Sequence, residues 1–196
     1  TLTVLDKDGN VVDTWTSDAK EAHVIKKLVV GETYTLCEEF APYGYLKATD
    51  IQFTVEDTGD VQHVEMKDEV PTGSIVINKD GEFVTDTTLM KGHWYDFIFN
   101  YFKDSLAGVT FDVYAKEDIV SADGLGSIYH KAGEKVATIV TNDKGIAGID
   151  DLPLGKYYLV ETKTLDGFVL DDTPIDADLS YIDQNTKVVF AGMDVT

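Results

Sequence analysis

"YTLCEEFAPYGY" (Tyr34–Tyr45) and "YYLVETKTLDGF" (Tyr157–Phe168) are two renderings of one pattern. In both, tyrosine, leucine and glutamate fall on alternate positions, and a glycine followed by an aromatic residue closes the stretch. Side chains of a strand point alternately to its two faces, so Tyr34, Leu36 and Glu38 share one face and Thr35, Cys37 and Glu39 the other. The first face is apolar. Glu38 is therefore expected to face a core and Glu39 to face water; Tyr157, Leu159 and Glu161 repeat the inward set. Burying an unpaired carboxylate is costly, yet the chain does it twice. Desolvation favours the neutral form of a carboxyl, which can donate a hydrogen bond and carry a proton.

The flanks repeat as well. "LVVGETY" and "LPLGKYY" each lead in with an apolar step and a glycine turn. "LKATDIQFTVEDTGDVQHVEMKDEV" and "VLDDTPIDADLSYIDQNTKVVFAGMDV" each lead out. Such self-similarity predicts two domains of one type in tandem. The joint is placed at "EVPTGS", where Pro71 and Gly73 punctuate two strand patterns, giving domains at 1–70 and 71–196.

Most other segments alternate apolar and polar residues: "LTVLD", "IQFTVED", "SIVIN", "VTFDVYA" and "VATIVT". Turn signals such as "DKDGN", "EDTGD" and "NDKG" separate them. The expected fold class is all-β, two antiparallel sandwiches with one solvated face per sheet. One segment, "LMKGHWYDFIFNYFKDSL", departs from the rhythm. Trp94, Phe97, Ile98, Tyr101 and Phe102 recur at i, i+3, i+4, i+7 and i+8, which predicts a helical insertion at about 86–106 in the second domain.

Composition narrows the function classes. The 196 residues carry a net charge of −20, which argues against nucleic acid, whose binding needs clustered lysine and arginine. No apolar run approaches the ~20 residues of a membrane span, and the insertion lacks the lysine-rich face of a membrane-surface helix. Cys37 is the one cysteine, so no intrachain disulfide forms. His23, His63, His93 and His130 are scattered without metal-ligand spacing, and "DKDGN" lacks the downstream glutamate of a calcium loop. "DTG" at Asp57–Gly59 fits a tight turn and has no second copy to make an aspartic-protease pair. Neither a cofactor nor a metal is expected. No signal peptide opens the sequence and no anchor closes it, so it reads as a piece of a longer protein.

The signature "DLPLGKYYLVETKTLDGF", with its near-copy in the first half, resembles the CnaB-type domain of Gram-positive collagen adhesins and SpaA-like pilins. That resemblance implies prealbumin-like, Ig-like sandwiches in an extracellular, cell-wall-anchored stalk or adhesin whose anchor lies elsewhere. It also implies an autocatalytic isopeptide bond, in which a first-strand lysine attacks a last-strand asparagine or aspartate while a core glutamate carries protons. In the second domain "SIVINKDG" matches the donor strand, which makes Lys79 the nucleophile and Glu161 the catalytic carboxyl. Asp194 is the acceptor candidate in "KVVFAGMDVT"; the family usually places an asparagine after a "VT"-like pair, which would fall just past Thr196. In the first domain "HVEMKDEVP" matches the acceptor strand, so Asp68 is the acceptor and Glu38 the catalytic carboxyl. The matching donor strand would precede "TLTVLD". Lys7, Lys20, Lys26, Lys27, Lys47 and Lys67 lie in turns or outward positions and do not fit its role.

The resulting expectation is a structural module whose partners are neighbouring domains of the same surface protein, with no activity beyond its own cross-linking. The alternative is a host-ligand-binding adhesin that uses the insertion helix, with Trp94 and Phe97, and the loop "KEDIVSADGLGSIYHKAGEK" at 116–135.

Overall fold

A computed structural model of the chain describes residues 1–18, 20–89, 97–121 and 126–196. Two compact units emerge: Thr1–Pro71 with Ile182–Lys187, and Thr72–Tyr181 with Val188–Thr196. Every regular element among the described residues is a strand.

In unit 1, strands β1 (Leu2–Leu5), β2 (Val11–Trp15), β3 (Thr33–Glu38) and β4 (Ile51–Thr54) form one antiparallel sheet in the order β2-β1-β3-β4. The "DKDGN" stretch is the β1–β2 hairpin turn. The Asp6 carboxylate accepts the backbone N–H of Asp8 at 2.9 Å and of Asn10 at 2.8 Å, so its oxygens are used within the turn. Val4, Tyr34 and Leu36 are buried on one face of the sheet. Ile25, Leu28, Val64 and Met66 cover that face from segments that are not strands. A single bridge, Leu46 to Glu69, pins the last of these segments.

Unit 2 begins with an 18-residue strand, β5 (Thr72–Leu89), followed by β6 (Phe97–Ser105), β7 (Thr110–Ala115), β8 (Ile119–Val120) and β9 (Ile128–His130). It continues through β10 (Lys135–Val140), β11 (Ile146–Leu152), β12 (Gly155–Lys163), β13 (Ile175–Leu179) and β14 (Val188–Val195). One sheet has the order β10-β7-β12-β13 and the other β11-β5-β14. Pairing is antiparallel except between β5 and β14, which run parallel. Between the sheets lie Ile75, Ile77, Phe111, Val113, Leu159 and Leu179, all fully buried. Burying each such side chain contributes about 1.5–3 kcal/mol.

The predicted helix at 86–106 is not there. Its described part is strand: the second half of β5 pairs with β6 in a ribbon, from Asp80↔Ser105 to Leu89↔Phe97. Residues 90–96, Trp94 among them, lie outside the described residues. Phenylalanine, tyrosine and isoleucine are middling helix formers and good strand formers. Here an equally β-prone partner, "FVTDTT", is available in register, and Phe83 stacks on Phe102 with ring centroids 5.4 Å apart. The helical spacing of the aromatics is a coincidence of an aromatic-rich strand.

Candidate functional site

The strand parity expected from the two near-copies holds in both units. Tyr34, Leu36 and Glu38 are buried on β3 while Glu39 is exposed; Tyr157, Leu159 and Glu161 are buried on β12. The alternation that makes the core thus also delivers one carboxyl into it.

In unit 2 that carboxyl meets an amine. Lys79 continues the inward row of Ile75 and Ile77 on β5, and Glu161 stands on β12 in the facing sheet. Lys79 Nζ lies 3.2 Å from Glu161 Oε2, with the two side chains 6% and 1% exposed. The contact is an ion pair, and among the described residues neither carboxylate oxygen of Glu161 has a hydrogen-bond partner. Phe111, fully buried, is the register neighbour of Glu161. The backbone of Lys79 is held at both ends: its N–H donates to the Gly145 carbonyl at 2.8 Å and its carbonyl accepts the Leu106 N–H at 2.9 Å. Gly145 is a left-handed turn residue with φ +71°, and a Cβ there would collide with the Lys79 carbonyl oxygen.

A cavity of about 370 Å³ opens beside Lys79, lined in part by Leu106, Thr164, Phe168, Asp171 and Thr196. Sequence reasoning missed Thr164 and Asp171. Among the described residues the buried Thr164 hydroxyl has no hydrogen-bond partner. Hydrogen bonds from Thr173 hold the Asp171 carboxyl below the usual range, with a smaller contribution from the charge of Lys79. Both lie within the repeated region, but the first copy has Ala41 and Ala48 at the matching positions, so no shared residue marked them.

Asp194 is not brought to this site. On β14 it pairs with Asn78, and the Asn78 amide donates to its Oδ1 at 2.9 Å on the exposed face. The inward residues of β14 are Ala191, Met193 and Val195, which pack on the core, and Val195 is the register partner of Lys79.

In unit 1 the buried carboxyl meets another carboxyl. Glu38 Oε2 accepts the Ala48 N–H at 2.8 Å. Asp68 stands against it, half-buried; burial first, then the charge of Glu38 and a hydrogen bond with it, push the Asp68 carboxyl above its ordinary range. A charged Glu38 at that position disfavours a second charge on Asp68. Lys7 and Lys67 pair instead with the surface carboxylates Glu32 and Glu65 at 3.1 and 3.4 Å.

Among the described residues no cluster of histidine, cysteine, aspartate and glutamate has metal-binding geometry, and no helix is long and apolar enough to cross a membrane. The 116–135 loop contains the short β8–β9 hairpin, and its residues 122–125 lie outside the described residues.

Comparison with known proteins adds the family. No curated protein sequence matches the chain. Among solved structures, the Bacillus anthracis TIE protein is similar over 97% of this chain and 29% of its own, at 21% identity and a TM-score of 0.56. The major pilin SpaD of Corynebacterium diphtheriae matches 63% of this chain and 31% of its own, at 22% identity and a TM-score of 0.37. The major pilin SpaA of the same organism matches 84% and 38%, at 16% identity and a TM-score of 0.39. The chain thus spans well under half the length of each of these three proteins. The SpaA prealbumin-like fold domain matches residues 1–70 and 101–192, most of the sequence, and the chain belongs to that family.

Proposed function

We propose that the chain is a structural module of a Gram-positive surface pilus or stalk, outside the cell, and that unit 2 is closed by an isopeptide bond from Lys79 with Glu161 as proton carrier. One observation supports this most directly. A buried amine and a buried carboxyl lie 3.2 Å apart, and among the described residues neither carboxylate oxygen has a hydrogen-bond partner. A buried ion pair offsets its desolvation only with good geometry and further hydrogen bonds. Those are missing here, so the pair is poorly built as a structural salt bridge and well placed to exchange a proton.

Moving one proton from the ammonium to the carboxylate discharges both groups and leaves a neutral, nucleophilic amine beside a carboxylic acid. The amine attacks the side-chain carbonyl carbon of an acceptor asparagine or aspartate. Glu161 protonates the carbonyl oxygen and then takes the proton shed by the nitrogen. The tetrahedral intermediate then collapses: Glu161 protonates the leaving group and receives the hydroxyl proton, so that ammonia leaves an asparagine, or water an aspartate, and the new C–N bond remains. Because β14 runs parallel beside β5, an inward acceptor on it is held next to the lysine, and proximity replaces encounter. The bond would join the first and last strands of unit 2, so that tension bypasses the hydrogen-bond ladder and the unfolded chain is constrained.

Met193 and Val195 set the inward side of β14, and strand alternation would put an asparagine added two residues after Val195, at position 197, on the same side. Intact-mass measurement of the chain carrying an asparagine at that position tests the reading. The expected result is loss of one ammonia, abolished by Lys79→Ala and by Glu161→Gln. An unshifted mass would sink it. In unit 1 the same reading makes Asp68 the acceptor and Glu38 the carrier. A peptide strand bearing a lysine should then form a covalent adduct with loss of water, and Asp68→Ala should not.

A further inference from the structure

The sandwich uses only the first half of β5. β11 and β14 pair with Thr72–Lys79, and beyond Lys79 the strand continues in partnership with β6 alone. Leu106 N–H and Gly145 carbonyl both bond to the backbone of Lys79, so β6 follows β11 along one edge of β5. On the other side of β6, no strand pairs with it among the described residues. Among the described residues, its outward backbone N–H and C=O groups therefore form an open edge. A two-stranded ribbon with nothing beyond it is marginal in water.

Natural edge strands are protected by lysine, proline, bulges or inward charges. β6 has few of these. From Phe97 to Phe102 it contains no charged residue and no proline, and the bulge in the ribbon is on β5 at Val84–Asp86. Ile98 and Phe102, on one face, are 49% and 45% exposed; Phe99 and Tyr101, on the other, are 51% and 58% exposed. Charge surrounds this apolar edge with one sign. Among the described residues, Asp80, Glu82, Asp86 and Asp104 flank it against Lys103, whose ammonium donates to the Thr196 hydroxyl at 3.0 Å. A second copy would bring the same acidic ribbon, on a chain of net charge −20, against it.

We infer that the outer edge of β6 is a docking site for an extended segment of a partner protein, in which lysine or arginine alternates with apolar residues. The segment adds a strand to the ribbon. Its backbone satisfies the open edge, its apolar side chains cover one of the two aromatic faces, and its cations, on the other face, meet acidic residues there.

The test uses the whole chain and a synthetic peptide that alternates lysine and valine and is long enough to span β6. Its affinity is compared with that of the same peptide N-methylated at two adjacent central residues, which blocks both edges without changing charge. We expect the unmodified peptide to bind at least about tenfold more tightly, since main-chain hydrogen bonds supply the affinity in strand addition. Phe99→Lys in the chain should weaken the unmodified peptide to a similar degree, and a glutamate–valine peptide should fail to bind. Because the two basic peptides are compared on the unaltered chain, the result does not depend on how a variant folds. Equal affinity of the two basic peptides would reduce the effect to bulk electrostatics and overturn the inference. So would no binding at all, or sedimentation showing a dimer of the chain that Phe99→Lys dissolves.

Discussion

The side-chain amide of Asn78 donates to the carboxylate of Asp194 at 2.9 Å, while the neighbouring pair in the same register, Lys79 and Val195, points to the opposite face of the sheet. One residue of register thus separates an exposed polar pair from the interior position beside the buried amine. In a parallel pair of strands a shift of one residue exchanges the faces. For Asp194 to reach Lys79, β14 would have to slip and turn Ala191, Met193 and Val195 out of the core.

Asp194→Ala is therefore expected to be mild. It removes one exposed hydrogen bond, a loss of about 0.5–1.5 kcal/mol at most. Urea denaturation measures that difference. Intact mass of the same variant, carrying an asparagine at position 197, should still show the loss of ammonia. Disappearance of the shift in Asp194→Ala would place the acceptor on the wrong residue.

The Lys79–Glu161 pair makes a different prediction for the uncross-linked chain. Removing one partner leaves the other buried without a counter-charge. Lys79→Ala and Glu161→Ala should each lower stability by about 3–5 kcal/mol, the usual result of breaking a buried pair from one side. Replacing both with apolar residues of similar size, Lys79→Met with Glu161→Leu, should recover most of that loss. Chemical denaturation of the three variants checks this, and additivity of the single losses in the double variant would show that the two groups are energetically independent.

How far the site was legible follows from what each feature depends on. The inward glutamates could be read because strand alternation is local, and two near-copies of the pattern agree on it. The face of Asp194 could not, because it depends on the register between strands more than a hundred residues apart, at Asn78 and Asp194. The ribbon was not legible because the alternating pattern of "SIVIN" ends at Asn78, whereas β5 runs on to Leu89. A Cβ at Gly81, on the way, would strike the ring of Phe168. Without that extension the aromatics of β6 had no visible partner strand, and their helical spacing was the pattern that remained. The carboxyl dyad of unit 1 was half legible: each residue could be named, but their direct contact depends on the Leu46–Glu69 bridge that brings the 66–70 segment across.

Tyr157 supplies a prediction at alkaline pH. Its ring is fully buried, and its hydroxyl donates to the Pro153 carbonyl at 2.6 Å. Burial pushes the phenol from 10.0 up to about 12. The folded state holds the proton more tightly than the unfolded chain, so this contribution is complete below pH 10 and is lost as pH rises toward 12. Tyr157→Phe should cost about 0.5–1.5 kcal/mol at neutral pH, the value of one hydrogen bond. The gap to the native chain should narrow when melting is repeated in strongly alkaline buffer. A gap that widens there would contradict the assignment.

The Glu38–Asp68 dyad predicts an acid-side dependence of the unusual sign. Most carboxyls with shifted values in this protein are lowered by hydrogen bonds, as Asp6 and Asp13 are, and they stabilise the fold above their unfolded values. Asp68 is raised above 3.8, by burial first and then by Glu38. Its folded form holds a proton that the unfolded chain releases, so its contribution is complete below pH 3.8 and is lost as pH rises through its elevated value. The native chain and Asp68→Asn, which cannot ionise, should then respond differently to pH. At strongly acid pH the two melt together, apart from a constant offset for the lost hydroxyl donor. As pH rises to neutrality the Asp68→Asn variant gains on the native chain, and Glu38→Gln, which removes the repelling charge, gains as well. A pH-independent difference between native and Asp68→Asn chains in thermal melts from pH 3 to 7 would show that Asp68 is not held protonated beside Glu38, and the basis for pairing them as acceptor and carrier would go with it.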